Sequence, residues 1–183
     1  MTFTDTHCHL ADPKLANTLP AVLAEAQAAG VARFIVPATS PKDWHSVAQL
    51  ERLSENIHIA LGIHPWFSDG LNEAAFQELE KELIRHPQAW VGEIGLDFYG
   101  KEQTQAQRDT QTDVFIRQLI LAQHLNRRVI IHNLKAAAAI AAAVKTAGFT
   151  QGGIVHAFSG SVEEARILVK LGFKIGIGSL LLN

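Results

Sequence analysis

Trp90-Val91-Gly92-Glu93-Ile94-Gly95-Leu96-Asp97 is an apolar run interrupted by Glu93 and by two glycines. Its length and its Val, Ile and Leu content predict a strand over Trp90–Leu96, buried on both faces as strands of a parallel sheet are. A carboxylate inside such a strand is costly unless it is paired or bound to a metal. No Arg or Lys stands out as a strand partner, and the glycines leave room for a ligand to approach the backbone. Glu93 is therefore the first candidate for a catalytic, metal-bound residue. Asp97 shares its parity toward the carboxyl end, where it either lines the site or orients a loop.

Four histidines end other apolar runs in the same way. His7 and His9 stand in Thr4-Asp5-Thr6-His7-Cys8-His9, His132 in Val129-Ile130-Ile131-His132, and His156 in Gly152-Gly153-Ile154-Val155-His156. Strand side chains alternate faces, so His7 and His9 point one way and Cys8 the other. Side chains gathered at strand ends are what a barrel or a doubly wound sheet brings together at its carboxyl edge. Each histidine alone has a plain reading as a hydrogen-bonded core residue. His-x-His, two later strand-end histidines and a strand glutamate together match a two-metal hydrolytic centre, in which one carboxylate bridges two ions about 3.5–4 Å apart. Imidazole and carboxylate ligands suit Zn²⁺ or Mn²⁺ better than an all-oxygen Mg²⁺ site.

The rest of the chain alternates strand and helix. Strands are predicted over Phe3–His9, Val31–Pro37, Ile57–His64, Arg128–His132, Gly153–His156 and Lys174–Gly178. Helices are predicted over Ala16–Ala29, Pro41–Ser54 with Ser40 as cap, Leu71–Arg85, Thr104–His124, Lys135–Ala147 and Val162–Leu171. With no linker, low-complexity tract or charge block, residues 1–183 read as one domain. Seven strands and six helices indicate an α/β fold, an incomplete TIM-type (β/α) barrel of about seven strands with the eighth missing. A closed barrel runs to about 250 residues, roughly 60–70 more than this chain has.

Composition bounds the function. The chain is 48% hydrophobic and 19% charged, an ordinary globular balance. A formal net charge of −2 gives no global attraction to nucleic acid or membrane, so phosphate binding needs a local site or a metal. One cysteine excludes an internal disulfide framework. With no basic and apolar leader at the start, it points to a reducing, cytoplasmic setting. The Ala-rich stretch from Ala136 to Val144 is too short to span a membrane. His64, in Gly62-Ile63-His64-Pro65, ends the third strand as a substrate or phosphate contact, with capping as the plain alternative. Ser159-Gly160-Ser161 offers either backbone N–H groups for a phosphate or an N-cap.

Four motifs, Asp5-Thr6-His7-Cys8-His9-Leu10, Gly62-Ile63-His64-Pro65, Gly92-Glu93-Ile94-Gly95-Leu96-Asp97 and His156-Ala157-Phe158-Ser159-Gly160, resemble the TatD family of metal-dependent deoxyribonucleases, from Phe3 to about Gly178. The resemblance implies a DNA phosphodiester hydrolase with two divalent ions (Zn, Mn or Mg). It implies His7 and His9 on one ion, Glu93 bridging, and His132 and His156 on the other. The family's eighth-strand Glu-Thr-Asp aspartate has no counterpart before Asn183. Asn133-Leu134 stands where the family has a small and then a basic residue. Two rival readings are an amidohydrolase cleaving an amide, ester or lactone, and a shortened, catalytically weak metal-binding relative. The family likeness implies a monomer. An unclosed sheet implies unpaired edges and a tendency to self-associate.

Overall fold

The structure, a computed structural model, describes residues 1–100 and 102–178. Seven strands form one parallel sheet in strict chain order. They are β1 (Phe3–Asp5), β2 (Val31–Pro37), β3 (Ile57–Leu61), β4 (Trp90–Asp97), β5 (Val129–Leu134), β6 (Gly153–Val155) and β7 (Phe173–Ile175). Between them run α1 (Leu19–Ala28), α2 (Trp44–Leu50), α3 (Glu73–Arg85), α4 (Gln105–His124), α5 (Ala137–Thr146) and α6 (Val162–Lys170). This is the TIM-type order expected from the sequence, and among the described residues no pairing joins β7 to β1. The stretch 179–183 that follows the last strand lies outside the described residues. Among those described, no helix is long and apolar enough to cross a membrane.

Alternate strand residues serve two cores. Phe34 and Val36 of β2, Ile59 and Leu61 of β3 and Ile131 of β5 belong to the large outer core that includes helix residues such as Leu79, Phe115 and Ile140. Ile35, Ala60, Ile130 and Ile154 form a small inner cluster with Trp90 against it. Each fully buried aliphatic side chain contributes roughly 1.5–3 kcal/mol of transfer free energy. The inner cluster is the floor on which the strand-end residues stand.

Several elements are shorter than the sequence suggests. β1 stops at Asp5 because the Asp5 carboxylate accepts the His7 backbone N–H at 3.1 Å, turning the chain out of the strand. α2 starts at Trp44 rather than Pro41, since Asp43 draws the Thr39 and Ser40 backbone N–H groups into a tight loop at 2.9 and 3.0 Å. β3 ends at Leu61, and Pro65–Phe67 forms a 3-10 turn. Ser161 is a plain helix cap: its hydroxyl accepts the Glu164 N–H, and Glu164 accepts the Ser161 N–H in return.

Candidate metal centre

β4 carries an irregularity that aims Glu93. Val91 pairs with Val129 and Ile94 with Ile131, so three steps on β4 match two on β5. Such an extra residue re-aims a side chain. Val91, Ile94 and Leu96 all face the outer core, leaving Glu93 and Asp97 on the inner side. The glycines make this possible. A Cβ on Gly62 would lie 2.8 Å from the Ile94 Cγ2 and 3.0 Å from the Gly92 backbone. Gly95 has φ +135°, and a Cβ there would collide with the His132 carbonyl oxygen.

Glu93 is the hub of the cluster. Its Oε2 lies 3.4 Å from His7 Nε2 and 4.0 Å from His9 Nε2. Its Oε1 lies 2.6 Å from His156 Nε2, 3.1 Å from His132 Nδ1 and 3.4 Å from His64 Nε2. Within each half the rings also touch: His7 and His9 nitrogens stand 3.1 Å apart, and the His64 and His132 ring centroids 4.5 Å. His7 and His156 stack at 3.8 Å and tie the halves together. His7, His9, Glu93, His132 and His156 thus converge, and His64 joins them more intimately than a peripheral contact. His64 is buried, and its Nδ1 accepts the Trp66 backbone N–H at 3.1 Å. Cys8 turns the other way, with its thiol 3.7 Å from the Ile35 carbonyl oxygen. Burial, and secondarily the Asp5 carboxylate, push that thiol up to about 12.

The electrostatics favour positive charge between these groups. Burial alone would raise the Glu93 carboxyl. Hydrogen bonds from His132, His156 and His64 outweigh it and hold the group ionised, well below the ordinary carboxylate range. Burial lowers His7 to about 3 despite the nearby Glu93, so its ring is neutral and keeps a lone pair. For His132, burial opposes protonation, but the hydrogen bond and charge of Glu93, with Asp97, prevail and raise it.

The donor set fits a divalent cation. His7, His9 and Glu93 offer one group of ligand atoms within 4.8 Å of one another, and His64, Glu93 and His132 another. Two buried ring nitrogens, His7 Nδ1 and His132 Nε2, have no hydrogen-bond partner among the described residues. For His132 Nε2 the nearest acid is Asp97 Oδ2, at 3.4 Å. A cavity of about 740 Å³ lies at the opposite end of the sheet among Arg33, His58, Trp90, Arg128 and Lys174. It does not reach the histidine cluster, where the chemistry-bearing groups are.

Sequence reasoning missed the supports beneath the site. Gln118 on α4 is fully buried, accepts the Ile63 N–H at 2.8 Å and donates to the Ile63 carbonyl at 3.0 Å, fixing the residue before His64. Gln111 accepts the Asp97 N–H at 3.0 Å. Their signal was present: two glutamines seven apart fall on the α4 stripe otherwise occupied by Val114, Phe115, Leu119 and Ala122.

The model of the family described as TatD related DNase matches residues 4–183. The chain belongs to this family. It is 35% identical over 178 residues to YjjV of Escherichia coli K12, described as an uncharacterized metal-dependent hydrolase, covering 96% of this chain and 68% of YjjV. It is 31% identical to YabD of Bacillus subtilis 168, described in the same words, covering 95% of this chain and 68% of YabD. The crystal structure of the E. coli YjjV, a TatD homolog, superposes with a TM-score of 0.90 at 34% identity, over 99% of this chain and 70% of that one. This TatD-family chain therefore stands among metal-dependent hydrolases, and its candidate ligand groups are the His/Glu clusters around Glu93.

Proposed function

We propose that the protein hydrolyses phosphodiester bonds in DNA, using two divalent ions (Zn, Mn or Mg) on either side of Glu93. The supporting observation is the division of one carboxylate: Oε2 faces His7 and His9, while Oε1 faces His132, His156 and His64. His7, His9 and Glu93 would hold one ion, and Glu93, His132 and His156 the other. Divalent ions at such a centre supply an activated water and neutralise charge on the phosphoryl oxygens.

The side chains divide the remaining work. Glu93, kept ionised, offers an oxygen to each half. The neutral His7 ring keeps a lone pair for a cation. His64 spends its Nδ1 as acceptor for the Trp66 N–H, which leaves Nε2 as the ring's donor, pointing into the cluster. That geometry suits His64 to donate to a phosphoryl oxygen rather than to hold metal. Asp97, between Trp66 and His132, positions the substrate side of the site. The chain's net charge of −2 is no obstacle, because the positive field at the centre is local.

A substrate panel tests this reading. With Mn²⁺ added, turnover is expected on DNA oligonucleotides and on bis(p-nitrophenyl) phosphate, and little on p-nitrophenyl esters, lactones or N-acyl amides. Turnover of an amide, ester or lactone without phosphodiester cleavage would replace it with an amidohydrolase reading.

A further inference from the structure

We propose that Trp66 is a stacking platform for the base of the nucleotide at the scissile phosphate. The inference rests on the phosphodiesterase reading and names a specificity residue for it. Trp66 is 71% exposed, whereas Trp44 is 3% exposed. An indole left in water next to a reaction centre needs a reason, and here its orientation is fixed. Its Nε1–H donates to Asp97 Oδ2 at 2.7 Å. Its ring meets His64 edge-on at 4.8 Å between centroids and lies 6.4 Å from the His132 ring.

The clamp on Trp66 is itself held. Asp97 Oδ1 accepts the Tyr99 N–H at 3.1 Å. Its main chain is held by Gln111 and by Gln103, which donates to the Asp97 carbonyl at 3.0 Å. The exposed face is thus presented rigidly, and little ordering entropy remains to be lost on binding. Phe67, whose ring lies 6.5 Å from that of His64, and Tyr99, whose backbone N–H bonds Asp97, are also exposed, at 44% and 67%. Every base has a π-face, so stacking on an indole tolerates any sequence. A base within a duplex already stacks on its neighbours. The platform therefore favours an unpaired nucleotide at the cleavage point.

Two measurements test this together. Tryptophan emission is followed while a short oligo-dT, or the same strand with abasic residues, is added to the metal-free chain and to the chain with Ca²⁺. The base-bearing strand should quench emission, the abasic strand should not, and Trp66→Ala should remove the quench. In Mn²⁺ assays, Trp66→Ala should raise KM for the base-bearing strand roughly five- to a hundred-fold. It should leave KM for the abasic strand unchanged, and Trp66→Phe should recover part of the loss. Equal KM changes on both strands, or DNA cleavage without quenching by Trp66, would overturn the stacking role while leaving the hydrolase reading intact. If no strand is cleaved or bound, the hydrolase reading fails and the platform falls with it.

Discussion

His156 Nε2 stands 2.6 Å from Glu93 Oε1, the shortest of five imidazole contacts that the carboxylate makes within 4.0 Å. A carboxylate so surrounded cannot be replaced by its neutral isostere without loss. Glutamine keeps one acceptor oxygen and places an NH₂ where a second set of rings expects an acceptor.

Glu93→Gln should therefore abolish metal-dependent hydrolysis, a larger effect than the roughly 10–100-fold typical of losing an outer partner. His64→Ala should fall within that smaller range, with metal content retained. Metal analysis after dialysis and Mn²⁺-dependent rates on a phosphodiester separate the two. Equal losses in both variants would place His64 among the ligands and remove the special standing of Glu93.

Gln118→Leu should destabilise the fold by about 2–4 kcal/mol, because both the Ile63 N–H and its carbonyl lose their partner in a buried site. The loop carrying His64 should loosen as well. Urea unfolding reads the first effect and KM for a phosphodiester the second. A variant as stable as the parent would show that water or the backbone takes over from the amide.

Gly95→Ala should cost at least about 3 kcal/mol, since it combines a φ of +135° with a collision against the His132 carbonyl. Gly70→Ala serves as its control, having a positive φ of +71° but nothing within 4 Å. Similar unfolding midpoints for the two would mean that β4 and β5 can part without penalty.

Cys8 should react slowly with a thiol reagent at pH 8 in the folded chain and rapidly in urea. Burial and Asp5 hold its thiol near 12, so almost no thiolate exists at that pH. Fast labelling of the folded chain would show that the loop after β1 opens in solution.

Much of this was legible in the sequence because it depends on local signals. Apolar runs alternating with helical stretches marked the strands, and Ser161 caps its helix, one of the two readings its loop allowed. What was not legible depends on contacts far along the chain or on backbone detail. His7 and His9 share a direction as the strand pattern implied, yet they stand beyond the strand, placed by the Asp5 turn. Ser40 resembles a cap until Asp43 claims its N–H. The Trp66–Asp97 bond joins residues 31 apart, and no periodicity announces it.

Around the centre the glycines leave no room for a side chain: a Cβ on Gly62 would meet Ile94 and the Gly92 backbone, one on Gly92 would meet Ile130, and one on Gly95 the His132 carbonyl. A lineage built on this packing has little freedom to redesign the base of its reaction chamber one mutation at a time. Rim positions such as Trp66 and Tyr99, 71% and 67% exposed, have room for other side chains without crowding the strands. The same chemistry can then be offered to new substrates by redecorating the entrance alone.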